Sequence, residues 1–188
     1  MSDQETAPTA RDDLRAAALE RFATDGYTAT SLQHIADAAG YAKSNVLYHF
    51  GTKEAVLDAA IGPAVEALEH LVDRLVDAEG AAEATIAAFV DFLFEYRLAV
   101  TIVVNQGSSL GGIPIIDRAA DAIRRLAVGI TADGGDPMRH LRFGVALAGA
   151  TYALVAGATF IPDPIDEGEA PRAALVEILT ELLRRDAG

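Results

Sequence analysis

The sequence predicts an all-α protein in two parts: a polar tail at 1–10 leading into a three-helix unit over 11–57, then a helical domain over 58–188. Three observations carry that prediction. Apolar side chains recur at spacings of three and four along most of the chain, the period of a helix with one buried face. Capping hydroxyls and glycines interrupt those stripes at helix-length intervals, as helix starts and stops do. Val100–Val104 is the one β-branched run that reads as a candidate strand.

Thr9 opens the first helix with Asp12 at the third position, and Leu14, Ala18 and Phe22 follow on one face. Gly26 stops it, because glycine adopts positive φ without steric cost. Thr30 or Ser31 caps a short second segment whose apolar stripe is Leu32, Ile35, Ala36 and Ala39, and Gly40 closes it. A third segment begins near Ala42, with Val46 and Phe50 four apart, and Gly51-Thr52 separates it from a fourth that opens at Lys53-Glu54. That fourth segment spans 53–79 and meets Gly62-Pro63, where proline removes a backbone donor and is expected to kink or divide the helix. Further helices are predicted over 82–98, 115–130, 137–160 and 171–185, with a flexible stretch at Asn105–Gly112 and breaks at 133–137 and 162–164.

The chain is 188 residues long, enough to bury a substantial core, and 51% of it is hydrophobic, which excludes a mostly disordered protein. It has no cysteine, so disulfides, thiol chemistry and cysteine-type zinc sites are excluded. His34, His49, His70 and His140 show neither helical pairing nor clustering with carboxylates, and no metal or other cofactor is expected. The first ten residues are polar and acidic, unlike a secretory or mitochondrial leader, and a cytoplasmic location is expected.

Net charge is −13, with 28 acidic residues against 15 Lys and Arg, and both halves are negative: −4 over residues 1–62 and −9 over 63–188. Such a chain repels polyanions at long range. Yet Ala38–Lys53 holds no Asp or Glu, and it contains Lys43, His49 and Lys53, which include both lysines of the protein. Charges farther apart than about 8 Å are screened at physiological salt, so a local cationic surface can act independently of the acidic remainder.

Three short helices, the second and third joined by a tight glycine turn, make a helix-turn-helix. The third helix presents Tyr41, Ala42, Lys43, Ser44, Asn45 and Tyr48 away from Val46 and Phe50. A carboxylate-free helix with that set of donors, acceptors and one small residue suits a DNA major groove. Asn45 can pair bidentately with an adenine edge, Ser44 can bond to either base type, and Lys43 and Lys53, at two helix starts, can neutralise phosphates.

These residues carry a family resemblance. Ala18-Leu19-Glu20-Arg21-Phe22, Gly26-Tyr27, Thr30-Ser31, Ile35-Ala36, Ala39-Gly40, Tyr48-His49-Phe50 and Lys53-Glu54-Ala55 together resemble the N-terminal domain of TetR-family transcriptional regulators over residues 11–57. The resemblance implies that Thr30 or Ser31, Tyr41, Tyr48 and His49 touch the DNA backbone. It also implies an effector cavity and a dimer interface in the C-terminal part. One departure is visible: the commonest family form has tyrosine where this chain has Leu47, and here the hydroxyl comes at Tyr48, about 100° further round the helix.

For the cavity, the expected lining is Phe89, Phe92, Leu93, Phe94 and Tyr96 with Thr101, Asn105 and Gln106, favouring an apolar or aromatic effector. For the dimer, the expected residues are Gly144, Ala148, Gly149 and Tyr152 with Leu175, Ile178, Leu179 and Leu182. Phe143–Ile161 is free of charge for nineteen residues, but its glycines and alanines mark a buried helix rather than a membrane span. The predicted function is a dimeric, ligand-responsive repressor of a palindromic double-stranded DNA operator, with α-helix four carrying the effector signal through a bend at Pro63. Two other classes compete with it. One is DNA binding without an effector. The other is a small serine hydrolase built on Gly107-Ser108-Ser109-Leu110-Gly111, which matches the G-x-S-x-G nucleophile elbow with Asp117, Asp133 or Asp136 and then His140 in chain order. The hydrolase needs several parallel strands, and the sequence offers one, so no enzymatic activity is expected.

Overall fold

Thr9 starts the first helix as its sequence requires: its hydroxyl accepts from the Asp12 amide at 3.3 Å while the Asp12 carboxylate accepts from the Thr9 amide. That reciprocal capping box satisfies two of the amides that a helix start leaves unpaired, and it extends ordered structure into the end of the expected tail. In the computed structural model, residues 9–77, 83–131, 137–155 and 168–183 are described. Residues 1–8 of the tail, the predicted breaks at 133–136 and 162–164, the carboxylates Asp133 and Asp136, and the far end of the charge-free stretch lie outside them.

Nine α-helices make up the described residues: α1 (Ala10–Thr24), α2 (Leu32–Ala39), α3 (Lys43–His49), α4 (Lys53–Asp77), α5 (Glu83–Glu95), α6 (Arg97–Gln106), α7 (Pro114–Thr131), α8 (Pro137–Val155) and α9 (Glu169–Leu183). No strand occurs among them. Leu14, Ala18 and Phe22 of α1, Ile35 and Ala36 of α2 and Val46 of α3 are all buried, so each short helix turns its apolar stripe inward. Ser31 rather than Thr30 caps α2, in a second capping box whose partner is His34. Gly40 ends α2 at φ 75°, a left-handed conformation that turns the chain directly into α3.

Two cores organise the chain. The first joins α1, α2 and α3 to the start of α4 and to α6 and α7 through Phe22, Ile35, Leu57, Ile61, Ile102 and Ile115. The second lies among α5, α8 and α9, around Leu93, Val90, Leu154 and Leu179. Ion pairs stitch the helices at their exposed edges: Arg118 to Glu69 and Arg125 to Asp73 tie α7 to α4, and Arg172 to Asp91 ties α9 to α5.

The structure departs from the sequence-based expectation in three places. Val100–Val104 is helical, not a strand; it forms the middle of α6, where Ala99 and Ile102 supply the buried face. The predicted helix over 82–98 is two helices, broken at Tyr96. Pro63 does not divide the fourth helix, which runs unbroken from Lys53 to Asp77. Pro63 faces solvent while Ile61, Ala64 and Val65 are buried, so the carbonyl its ring deprives of a donor sits away from the core.

Candidate nucleic-acid interface and effector cavity

α3 is seven residues long, with Val46 buried against the first core and Lys43, Ser44, Leu47 and Tyr48 exposed. Ala42 precedes it without a side-chain cap, and the Asn45 amide donates to the Ala42 carbonyl at 2.9 Å. Tyr48 is 85% exposed, and its ring meets His49 edge-on at 5.1 Å. Asn45 is half-buried at the first turn. This exposed face includes no carboxylate, since neither α3 nor the turn before it contains one.

Other residues expected at the DNA backbone are engaged within the three-helix unit. Thr30 is only 1% exposed, and its hydroxyl donates to the Gly26 carbonyl at 2.8 Å and the Arg21 carbonyl at 3.3 Å. It fastens the α1–α2 corner rather than facing outward, which leaves Ser31, half-buried at the helix start, as the nearer of the pair to solvent. Tyr41 donates its hydroxyl to Asp13 at 2.8 Å, joining the α2–α3 turn to α1, and that bond holds its phenol above the ordinary value. Lys53 donates to the Thr28 carbonyl at 3.3 Å with its ammonium 4.3 Å from the centre of the Tyr27 ring, and burial lowers its pKa. Arg11 lies over the Phe50 ring at 5.5 Å, which brings a cation of α1 to the end of α3. Sequence reading missed that cation because nothing local to Arg11 signals the packing of α1 on Phe50.

A cavity of about 510 Å³ opens in the C-terminal part. Phe89, Phe92 and Leu93 line it, but Phe94, Tyr96, Thr101, Asn105 and Gln106 do not. From α6 it is Val100, Val103 and Val104 that face the cavity, at a helical spacing that turns Thr101 and Asn105 away from it. Thr101 returns its hydroxyl to the Arg97 carbonyl one turn back, and Asn105 is exposed. The remaining wall comes from α4, α7 and α8: Ile61, Val65 and Leu68, then Ile123 and Leu126, then His140, Leu147 and Thr151. No Asp, Glu, Lys or Arg is among the lining residues. Gly144, Ala148 and Tyr152, expected at a dimer interface, also border this cavity while remaining exposed on α8.

On the expected dimer face, Gly149, Ile178 and Leu182 are exposed. Leu179 is 2% exposed inside the second core, and Leu175 packs against that core, so both serve the chain's own interior. Two unforeseen residues, Leu141 and Val145, are 62% and 59% exposed one turn apart on α8, continuing the line to Gly149 and Tyr152.

Among the described residues the hydrolase constellation is not assembled. Gly107–Ser109 is a 3₁₀ turn after a helix, not a sharp turn after a strand, and the Ser109 hydroxyl donates to the Gln106 carbonyl at 2.8 Å. Asp117 accepts from the Gly112 amide at 3.0 Å instead of orienting a base. Among the described residues no single helix is long and apolar enough to cross a membrane.

Three solved structures have this architecture. AmtR of Mycobacterium smegmatis is 24% identical with a TM-score of 0.68, covering 100% of this chain and 92% of its own. A TetR transcriptional regulator family member from Streptomyces coelicolor A3 is 21% identical, with a TM-score of 0.70 and coverage of 98% and 96%. The ketosteroid transcriptional regulator KstR2 of Mycobacterium tuberculosis is 16% identical, with a TM-score of 0.66 and coverage of 96% and 98%. Residues 14–60 match the family described as bacterial regulatory proteins, tetR family. The N-terminal helix-turn-helix is thus similar to that family over residues 14–60, and the helical body behind it shares the fold of these structures.

Proposed function

We propose that this protein is a sequence-specific repressor that binds a palindromic operator in cytoplasmic DNA as a homodimer and releases it when an uncharged, largely apolar molecule fills the C-terminal cavity. The observation that carries the DNA reading is the exposed, carboxylate-free face of α3 on a chain that is otherwise strongly acidic. One seven-residue helix reads few bases; two copies related by a two-fold axis read successive major grooves about 34–36 Å apart. The exposed line Leu141, Val145, Gly149 and Tyr152 on α8, beside Ile178 and Leu182 of α9, offers a surface for that pairing. KstR2 is by its description a ketosteroid regulator; an apolar effector here is supported by the lining of this chain's own cavity.

The test is a footprint on the DNA upstream of the protein's own gene, comparing the wild type with Asn45→Ala. A bidentate contact to a base contributes about 1–3 kcal/mol of discrimination, so the variant is expected to lose about tenfold or more in preference for the protected sequence over bulk DNA. Unchanged preference would move base reading away from Asn45. Effector response is tested separately by melting the protein against a panel of neutral sterols, aromatics and long-chain alcohols. Ligand at 100 times its Kd stabilises by about 2.7 kcal/mol, whereas an effector-independent protein would melt at one temperature throughout.

A further inference from the structure

Gln106 was expected at the effector cavity, but its side chain points the other way and joins two parts of the molecule. Its Oε1 accepts from the Tyr27 amide at 2.7 Å, and its Nε2 donates to the Phe22 carbonyl at 2.8 Å. The two partners lie 79 and 84 residues away in sequence, both in the α1–α2 corner of the helix-turn-helix unit. Phe22 falls in the last turn of α1, where helical carbonyls have run out of helical donors, and Tyr27 lies beyond the helix end. A primary amide can answer one such acceptor and one such donor together, from two separate atoms.

We propose that Gln106 is a positioning residue that fixes the three-helix unit in one orientation on the C-terminal body, and through it sets where α3 stands for DNA; the second step rests on the DNA-binding reading above. The apolar packing of Phe22 and Ala18 against Ile102 and Ile61 also joins these parts, but hydrophobic contact is non-directional and permits sliding. Two hydrogen bonds in a half-buried site impose distance and angle. The corner they grip leads on to the operator side. Tyr27 packs its ring on Phe22 at 5.2 Å and carries the Lys53 ammonium over its ring, 4.3 Å from the centre. Lys53 begins α4, so the amide bridge, the α1–α2 corner and the start of the long helix form one connected unit.

The test uses full-length protein and two substitutions. Gln106→Met keeps the length of the side chain and removes both bonds; Gln106→Glu keeps an acceptor for Tyr27 and loses the donor to Phe22. Because the chain has no cysteine, spin labels can be placed cleanly at Ala38→Cys on α2 and Glu177→Cys on α9, both exposed. Labelled chains are diluted with unlabelled protein so that one intrachain distance is read. The expected result is a narrow distance distribution in the parent, a clearly broader or displaced one in both variants, and affinity for the footprinted duplex lower by about tenfold, within the usual range of coupling between sites. An unaltered distribution in whichever variants fold overturns the proposal. So does a broadened distribution with unaltered affinity, which would leave the bridge with no role at DNA. A parent that binds no duplex defeats the DNA-binding reading alone, and the distance widths still decide whether Gln106 fixes the unit.

Discussion

At the level of single residues, several polar side chains that read as DNA ligands are occupied in holding the three-helix unit together. Thr30 is the clearest case: its hydroxyl bonds inward to Gly26 and Arg21, with the side chain almost wholly buried. Thr30→Val preserves the shape and removes the bond, so it is expected to lower folding stability by about 1 kcal/mol. Duplex affinity, measured well below the melting transition, is expected to stay within twofold of the parent; a large loss of affinity with unaltered melting would return Thr30 to the phosphate backbone. Tyr41 and Lys53 occupy an intermediate position, each bonded within the unit while lying beside the exposed face of α3. A threonine two residues before a helix gives no sign in the sequence of whether it turns in or out. Its neighbour Ser31 takes the capping role, and that decides the matter.

Among the elements, helix periods and stops were legible, and inter-helix geometry was not. The caps at Thr9 and Ser31, the stop at Gly40 and the inward stripes of α1 and α2 follow from local chemistry alone. The failure at Val100–Val104 has a physical reason: β-branched residues favour strands only weakly, and here tertiary packing of Ala99 and Ile102 overrides that preference. Read as a strand, that run hid the helical spacing by which Val100, Val103 and Val104 share one face of α6 and line the cavity. Phe89, Phe92 and Leu93 line the same cavity, while Gln106 lies outside it. Pro63 is the remaining anomaly, an exposed proline in a continuous helix. Pro63→Ala restores an amide to the ladder and is expected to stabilise by about 2 kcal/mol, after allowing for the greater freedom of the unfolded chain. That corresponds to a rise of about 4–8 °C in melting temperature for a protein of this size. If α4 bends at this point to transmit effector binding, the same variant also blunts compound-induced release of DNA; a melting temperature unaltered to within a degree would show that the proline is accommodated without cost.

For the whole molecule, the question is how a chain of net charge −13 approaches a polyanion at all. Screening confines repulsion from the acidic body to roughly its nearest 8 Å, so what counts is the cationic surface around α3 and how many copies of it act together. Lys43 and His49 flank the exposed face, and Arg11 approaches from α1. With about two phosphates neutralised per subunit, a dimer releases about four counterions, and the logarithm of its binding constant is expected to fall with the logarithm of salt at a slope of about −3.6. Val145→Glu places a carboxylate in the middle of the exposed line on α8 and is expected to leave a folded monomer, since that position is open to solvent within one chain. If the operator is palindromic as proposed, the monomer is expected to engage one half-site, with a slope about half that of the dimer and lower affinity at every salt concentration. Sedimentation fixes the oligomeric state and a salt titration of duplex binding fixes the slope, each on the same preparations. A variant that stays dimeric would place the interface elsewhere on the body, and a monomer with the full slope would mean that one subunit makes all the phosphate contacts. Under the proposed function the acidic remainder is then expected to lower affinity for bulk DNA, so that sequence preference is gained by weakening the competitor rather than by adding contacts at the operator.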